Sequence, residues 1–414
     1  MYPGKASAKA ILSETPGQLH TVADVGVQSN RLIFGDNFLA MLNIKSRQTP
    51  AQKIRLAYLD PPFATGLAFN GRDLAHAYED TLNGAQYIEF LRKRLILIRE
   101  LLSDDGSIYI HLDSNMAFPI KVVLDEIFGP KQFRNCITRK KSNPKNYTSK
   151  QFGNISDYIL FYSKSKNYVW NQPKESWTEE WAEREYSYSE ADGRKFKKVP
   201  IHAPGVRNGD TGKPWRGKLP PPGKHWQLTP SKLEELNAAG EIFWSKTGNP
   251  RRKVYLDRKT GVSVQDIWLD FKDAHNQNID ITGYPTEKNP DLISRIIRAS
   301  SNAGDVVLDP FIGSGTVAAV AQELGRTWIG IDSSISAIDH TLKRLIVGRE
   351  KMGDYIERPV KEKLLVARND IIGGLSLDVE GARFIDPLIT SKISEWRVCL
   401  GLEPHFSEPC VEHL

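Results

Sequence analysis

Three cysteines in 414 residues are few. Cys136, Cys399 and Cys410 share no CxxC or His-paired spacing, which argues against both a disulfide framework and a structural zinc site. Long apolar runs are missing too. None approaches the roughly 20 residues needed to cross a bilayer, so no membrane partner is expected. The opening Met1-Tyr-Pro-Gly-Lys-Ala-Ser lacks the apolar core of a secretion signal, and the expected location is cytoplasmic. Acidic residues are scarce in one stretch. Between Lys131 and Trp170 nine Lys/Arg face the single acid Asp157. With Phe133, Tyr147 and Phe152 interleaved, that stretch suits a nucleic-acid backbone; a solvated loop with a charge bias is the plainer alternative. The rest is ordinary for a globular chain of two or three domains: 40% hydrophobic, 26% charged, net charge +6.

What the chain does have is concentrated at two places. Residues 58–66 read Tyr-Leu-Asp-Pro-Pro-Phe-Ala-Thr-Gly. The run Ile54-Arg-Leu-Ala-Tyr-Leu59 predicts a buried strand, and two prolines end it. Asp60, Pro61, Pro62 and Phe63 are thereby held at the strand's C-terminal edge on a backbone with little freedom. Prolines donate no N–H, so carbonyls there stay available as acceptors. An acid, a carbonyl and a stacking ring within four residues suit the exocyclic amine of a flipped-out base. A Pro-Pro turn of no special meaning would look the same, so the tetrapeptide needs a cofactor site beside it.

The second place is residues 304–332, Gly-Asp-Val-Val-Leu-Asp-Pro-Phe-Ile-Gly-Ser-Gly-Thr-Val-Ala-Ala-Val-Ala-Gln-Glu-Leu-Gly-Arg-Thr-Trp-Ile-Gly-Ile-Asp. A short strand, a glycine loop, an Ala/Val-rich helix and a second strand predict a βαβ unit with a nucleoside-type site at its top. Gly313 and Gly315 allow a tight turn and close approach to a ligand. Asp332 ends the second strand where an acid takes ribose hydroxyls. Gly313-x-Gly315-x-x-Ala318 followed by an acid also fits a dinucleotide fingerprint. Asp309 argues against that reading, because it ends the first strand where a pyrophosphate would lie. S-adenosylmethionine carries no phosphate, and its ammonium and sulfonium are cationic, so a carboxylate attracts it. If the strands before Asp60 and Asp309 flank the point where strand order reverses, cofactor and base meet across one crevice.

Together these motifs resemble the amino-methyltransferases of DNA. Asp60-Pro-Pro-Phe63 resembles their catalytic motif and Asp309-Pro-Phe-Ile-Gly313-Ser-Gly315 their cofactor loop, with Phe311 and Thr316 inside or beside it. Catalytic motif first and cofactor loop last is similar to the circularly permuted beta class. Gly35-Asp36-Asn37 resembles the family's cofactor-adenine motif. Tyr284-Pro-Thr-Glu-Lys-Asn-Pro290 resembles the motif supporting the methionine end, where the usual spelling is Lys-Pro and this chain has Lys288-Asn289-Pro290. The resemblance implies a Rossmann-like α/β sheet binding S-adenosylmethionine, with an inserted target-recognition domain. It also implies N6 methylation of adenine in double-stranded DNA, with cytosine N4 as the alternative, since Asp at the first position of the tetrapeptide goes with adenine. Asp60 and the Pro61 carbonyl would take the two amine hydrogens and Phe63 would stack on the base. No metal is implied, because a sulfonium is already an activated leaving group. Bacterial and phage site-specific enzymes and type III Mod subunits are both similar. A homodimer or a restriction endonuclease is therefore a candidate partner, a recognition subunit is the rival role, and the nucleoid the implied place of work.

The implied layout is an N-terminal extension at 1–30, a catalytic half at 31–165 and a recognition insertion at 166–275. A cofactor half follows at 276–349 and an unassigned extension at 350–414. Ile88, Leu91, Leu95, Ile98 and Leu102 form a helical stripe from about Ala85, ended by Asp104-Asp105-Gly106 before a strand Ser107–Leu112. His111 and Asp113 at that strand's edge read as structural. Seven of nine tryptophans lie between Trp170 and Trp268, most simply as the core of a small domain. The candidate DNA contacts are Lys140, Lys141 and Lys145 in the basic stretch and Arg216, Arg251 and Arg252 in the insertion.

Overall fold

Apolar runs bounded by turn residues become the strands of one ten-stranded sheet. The computed structural model describes residues 4–26, 30–49, 52–62, 84–143, 150, 152–176, 178–256, 261–271, 280–281, 287–348, 350–351, 374–381 and 386–404. In chain order the sheet strands are β1 (Leu19–Val25), β2 (Asn30–Phe34), β3 (Ile54–Leu59), β4 (Leu102–Leu112), β5 (Phe133–Lys140), β6 (Ser156–Ser163), β7 (Ile267–Trp268), β8 (Val306–Asp309), β9 (Thr327–Asp332) and β10 (Leu375–Glu380). Across the sheet they run β1-β10-β2-β9-β8-β3-β4-β6-β5-β7. The six from β10 to β4 are mutually parallel, and β6 runs antiparallel between β4 and β5.

The predicted strand before Asp60 is β3, and Ile54, Leu56, Ala57 and Leu59 are fully buried, as a central parallel strand requires. It pairs with β8 through Val307↔Leu56 and Leu308↔Ala57. From β3 the chain crosses to β4 on one side; from β8 it crosses to β9 on the other. The switch point expected from the two motifs therefore lies between β3 and β8. The helices α1 (Ala8–Leu12), α2 (Asn37–Arg47), α3 (Gly84–Leu101), α4 (Ser114–Phe128), α5 (Pro290–Ser300), α6 (Thr316–Glu323), α7 (Ile335–Val347) and α8 (Pro387–Cys399) complete this unit. Of the predicted stripe, Leu91, Leu95 and Ile98 are buried on α3, Ile88 is partly buried, and Leu102 already opens β4.

Three expectations are redrawn. The strand expected at Ser107 starts at Leu102 as β4, with Asp104-Asp105-Gly106 accommodated by a shift of register against β3. The chain ends are part of the sheet: β10, from the stretch left unassigned, lies between β1 and β2, and Asp378 on it takes Arg31 at 2.6 Å and Thr21 at 2.7 Å. The compact inserted unit is Pro173–Val264, narrower than 166–275. Just before it in the chain Asn171 is bonded to the Arg298, Ala299 and Ser301 carbonyls around the end of α5, and just after it Ile267–Trp268 joins the main sheet beside β5.

The inserted unit holds a four-stranded antiparallel sheet containing Lys195–Pro200 and Pro250–Tyr255, and a helix Pro230–Ala238. Its core is Ile201, Trp215, Trp226, Leu233 and Ile242, with Trp244 packed against it. Several of the clustered tryptophans are thus core residues, as their density suggested.

Candidate active site

Asp60 stands immediately past β3 and Asp309 ends β8, so both acids sit at the C-terminal edge of adjacent strands. Tyr87 on α3 donates to the Pro62 carbonyl at 2.6 Å, which fixes the Pro61-Pro62 backbone. Phe63 and Lys145 lie outside the described residues.

The glycine loop takes the predicted form. Gly313 and Gly315 both have positive φ, and a Cβ on Gly315 would come within 2.8 Å of the Thr341 hydroxyl on α7, so that position tolerates only glycine. Asp309 is buried and accepts the Phe311 N–H at 3.0 Å. Burial pushes its carboxyl well above the usual range, and the nearby Asp60 and Asp332 add to the shift. Asp332 accepts the Gly313 N–H at 3.0 Å and the Ser334 N–H at 2.9 Å, so it shapes the loop. Thr316 opens α6 and accepts from Arg344 at 2.6 Å.

Gly35-Asp36-Asn37 forms a joint. Gly35 has no room for a side chain, because a Cβ would lie 2.7 Å from that of Glu380. Asp36 caps α2 through the Phe38 and Leu39 N–H groups and pairs with Arg94 at 2.9 Å. Asn37 is buried, donates to the Pro310 carbonyl at 2.6 Å and accepts from Arg94. The joint links α3, which carries Tyr87, to the loop after β8.

Lys288, expected near the cofactor, has its ammonium 3.0 Å from Asp60 Oδ2, with the two side chains 10% and 19% exposed. The other oxygen, Asp60 Oδ1, is buried without a hydrogen-bond partner among the described residues. Beneath them His111 is fully buried, 3.1 Å from the Tyr58 hydroxyl and 3.4 Å from Asp157. Burial holds the His111 imidazole below its ordinary value, and Lys288 adds to this. Asp157, despite its burial, is kept ionised by His111 and by Lys141 at 2.9 Å. Asp113 caps α4.

The candidate DNA contacts are not equivalent. Lys141 is engaged by Asp157, and Lys140 ends β5 half-buried. Arg216 forks onto Glu234 at 2.8 and 2.5 Å. Arg251 and Arg252 are exposed on the strand Pro250–Tyr255, with Arg252 3.8 Å from Glu241. Sequence reading missed Arg94, Arg344 and Glu287. Arginine inside an otherwise apolar helical stripe was the signal available for Arg94.

Three carboxylates thus converge on one edge, with Lys288 paired to only one oxygen of Asp60. Such a place favours a cationic ligand and repels a pyrophosphate.

Comparison with known proteins gives matches in one direction. A family model described as DNA methylase matches residues 54–343. The type II methyltransferase M.EcaI of Enterobacter cloacae is 49% identical over 368 residues, 87% of this chain and 80% of that protein. The StyLTI Mod subunit of Salmonella typhimurium, a type III restriction-modification enzyme, is 25% identical over 413 residues, and the match spans 60% of its length. Among solved structures, the M1.HpyAVI–SAM complex covers 77% of this chain and 99% of its own at 18% identity, with a TM-score of 0.40.

Proposed function

The chain belongs to the DNA methylase family that modifies exocyclic amines at N6 or N4, and from that premise we propose that it methylates adenine N6 in double-stranded DNA. The cofactor is S-adenosylmethionine, which supplies a methyl group activated by a sulfonium. The observation that carries the reading is the convergence of Asp60, Asp309 and Asp332 at the β3/β8 switch point, where a cation is favoured and a dinucleotide is not.

The adenine amine is a poor nucleophile because its lone pair is delocalised into the ring. Asp60 and the Pro61 carbonyl accept its two hydrogens, which draws the nitrogen toward tetrahedral geometry and concentrates the lone pair on it. As the nitrogen gains its methyl it turns cationic, and Asp60 takes the departing proton and passes it to solvent. Much of the rate comes from holding the amine in place, because Tyr87 and the prolines leave the acceptors little freedom to turn away. Phe63 stacks on the base, which leaves the duplex at a cost of a few kcal/mol. Asp332 takes the ribose hydroxyls of the ligand and, with Asp309, shapes the loop around it. Arg251, exposed on the inserted unit, serves the DNA backbone.

The test is to incubate the protein with tritium-labelled S-adenosylmethionine and unmethylated genomic DNA, then hydrolyse the DNA and identify the labelled base. Label in N6-methyladenine is the expected result. Label in N4-methylcytosine overturns the choice of base and keeps the mechanism. Absence of label with cofactor bound favours a recognition subunit waiting for its partner, or an RNA substrate.

A further inference from the structure

We infer that Lys288 is a positioning residue for the catalytic carboxylate and not a contact for the cofactor, and that Arg344 sets it in place. The inference rests on the reading of Asp60 given above. Lys288 reaches Asp60 Oδ2 at 3.0 Å with only 10% of its side chain exposed. An ammonium that far from water needs a carboxylate beside it, and a carboxylate so paired does not rotate freely. The pairing makes the two oxygens of Asp60 unequal. Oδ2 is held by Lys288, whereas Oδ1 is buried without a hydrogen-bond partner among the described residues. A buried acceptor left unpaired is costly, and an amine hydrogen relieves that cost on arrival. Lys288 therefore selects which oxygen meets the base.

The lysine is itself pinned on both sides. Its predecessor Glu287 is buried and ion-paired with Arg344 of α7. Its successor Asn289 caps α5 by accepting the Asp291 N–H at 2.8 Å, with Pro290 as the first helical residue. The residue that separates Lys288 from its proline is thus the helix cap. Arg344 also donates to Thr316 at 2.6 Å, one residue beyond Gly315. One arginine on α7 therefore ties the end of the cofactor loop, where α6 begins, to the segment that presents Lys288 to Asp60.

Four quantities are measured on the full-length protein carrying K288M, K288Q or D60A: the single-turnover methylation rate at saturating cofactor, the Kd for S-adenosylmethionine, the Kd for DNA, and the unfolding midpoint. K288M is expected to slow methyl transfer about 10- to 100-fold, as loss of positioning does, with both Kd values within about twofold of wild type. K288Q retains one donor to Asp60, falls between K288M and wild type, and carries the same test if K288M does not fold. A cofactor Kd weakened in step with an unchanged saturating rate overturns the inference and returns Lys288 to the cofactor. A fully active K288M overturns it as well. D60A separates this failure from the other: turnover surviving D60A sinks the role of Asp60 itself, whereas a dead D60A beside an active K288M sinks only the role of Lys288.

Discussion

The arginines of the two units make the same kind of bond in opposite surroundings. Arg344, in the sheet unit, is buried and joins Glu287 and Thr316 from a helix more than one element away. Arg216, in the inserted unit, is exposed and joins Glu234 in its own neighbourhood. Removing one member of a buried pair strands a charge away from water, whereas an exposed pair exchanges its partner for solvent. The sheet unit uses charge to fix geometry; the inserted unit keeps its charge at the surface, where a phosphate can compete for it.

In the sheet unit the largest loss is expected at Asp60. D60A is expected to lower turnover about 10³-fold or more, in the range of a lost acid–base or electrostatic group, while cofactor affinity stays within about threefold. Loss of cofactor binding too would point to collapse of the edge and count against the assignment. Next comes R344M, which should lower unfolding free energy by about 3–5 kcal/mol, read from urea titration. R216Q should leave the midpoint unchanged. Equal effects of the two would end the contrast drawn above.

Asp309 sharpens the contrast through pH. Burial holds its carboxyl well above the usual range, with Asp60 and Asp332 adding to the effect. The native chain therefore keeps this proton at pH values where the unfolded chain has released it. Its contribution to stability is complete below the unfolded value near 3.8 and is lost as pH rises through the folded one. D309N does not titrate, so its unfolding temperature should gain on wild type steadily from pH 4 to pH 8. A pH-independent difference would mean that Asp309 is not held protonated.

Residues that dictate backbone were the legible part of the site. Pro61 and Pro62 end a strand, Gly313 and Gly315 need left-handed turns, and Asp309 and Asp332 close their strands, so each motif was legible at a strand's end, while their meeting depended on the order of strands. Long-range pairing was not legible. Nothing local ties Lys288 to Asp60, Arg94 to Asp36 or Arg344 to Glu287, since each pair is brought together only by the order of strands. The same holds for Leu375–Glu380, a six-residue strand whose partners β1 and β2 lie at the other end of the chain. The inserted unit was legible as a composition, through its tryptophans, and not as a site.

The smallest effect tests that last point. Arg251 and Arg252 are neighbours on one strand, so their side chains leave opposite faces of its sheet. Only one of them can lie against a given DNA surface. Arg252 lies 3.8 Å from Glu241, whereas Arg251 has no carboxylate partner among the described residues. Arg251 is therefore the phosphate contact we expect. R251Q should weaken DNA binding severalfold and reduce the slope of log affinity against log salt by about 1, the signature of one lost phosphate contact. R252Q should leave the slope unchanged. If both reduce it equally, the strand meets DNA edge-on, with both faces in contact; if neither does, the inserted unit reads DNA through another surface.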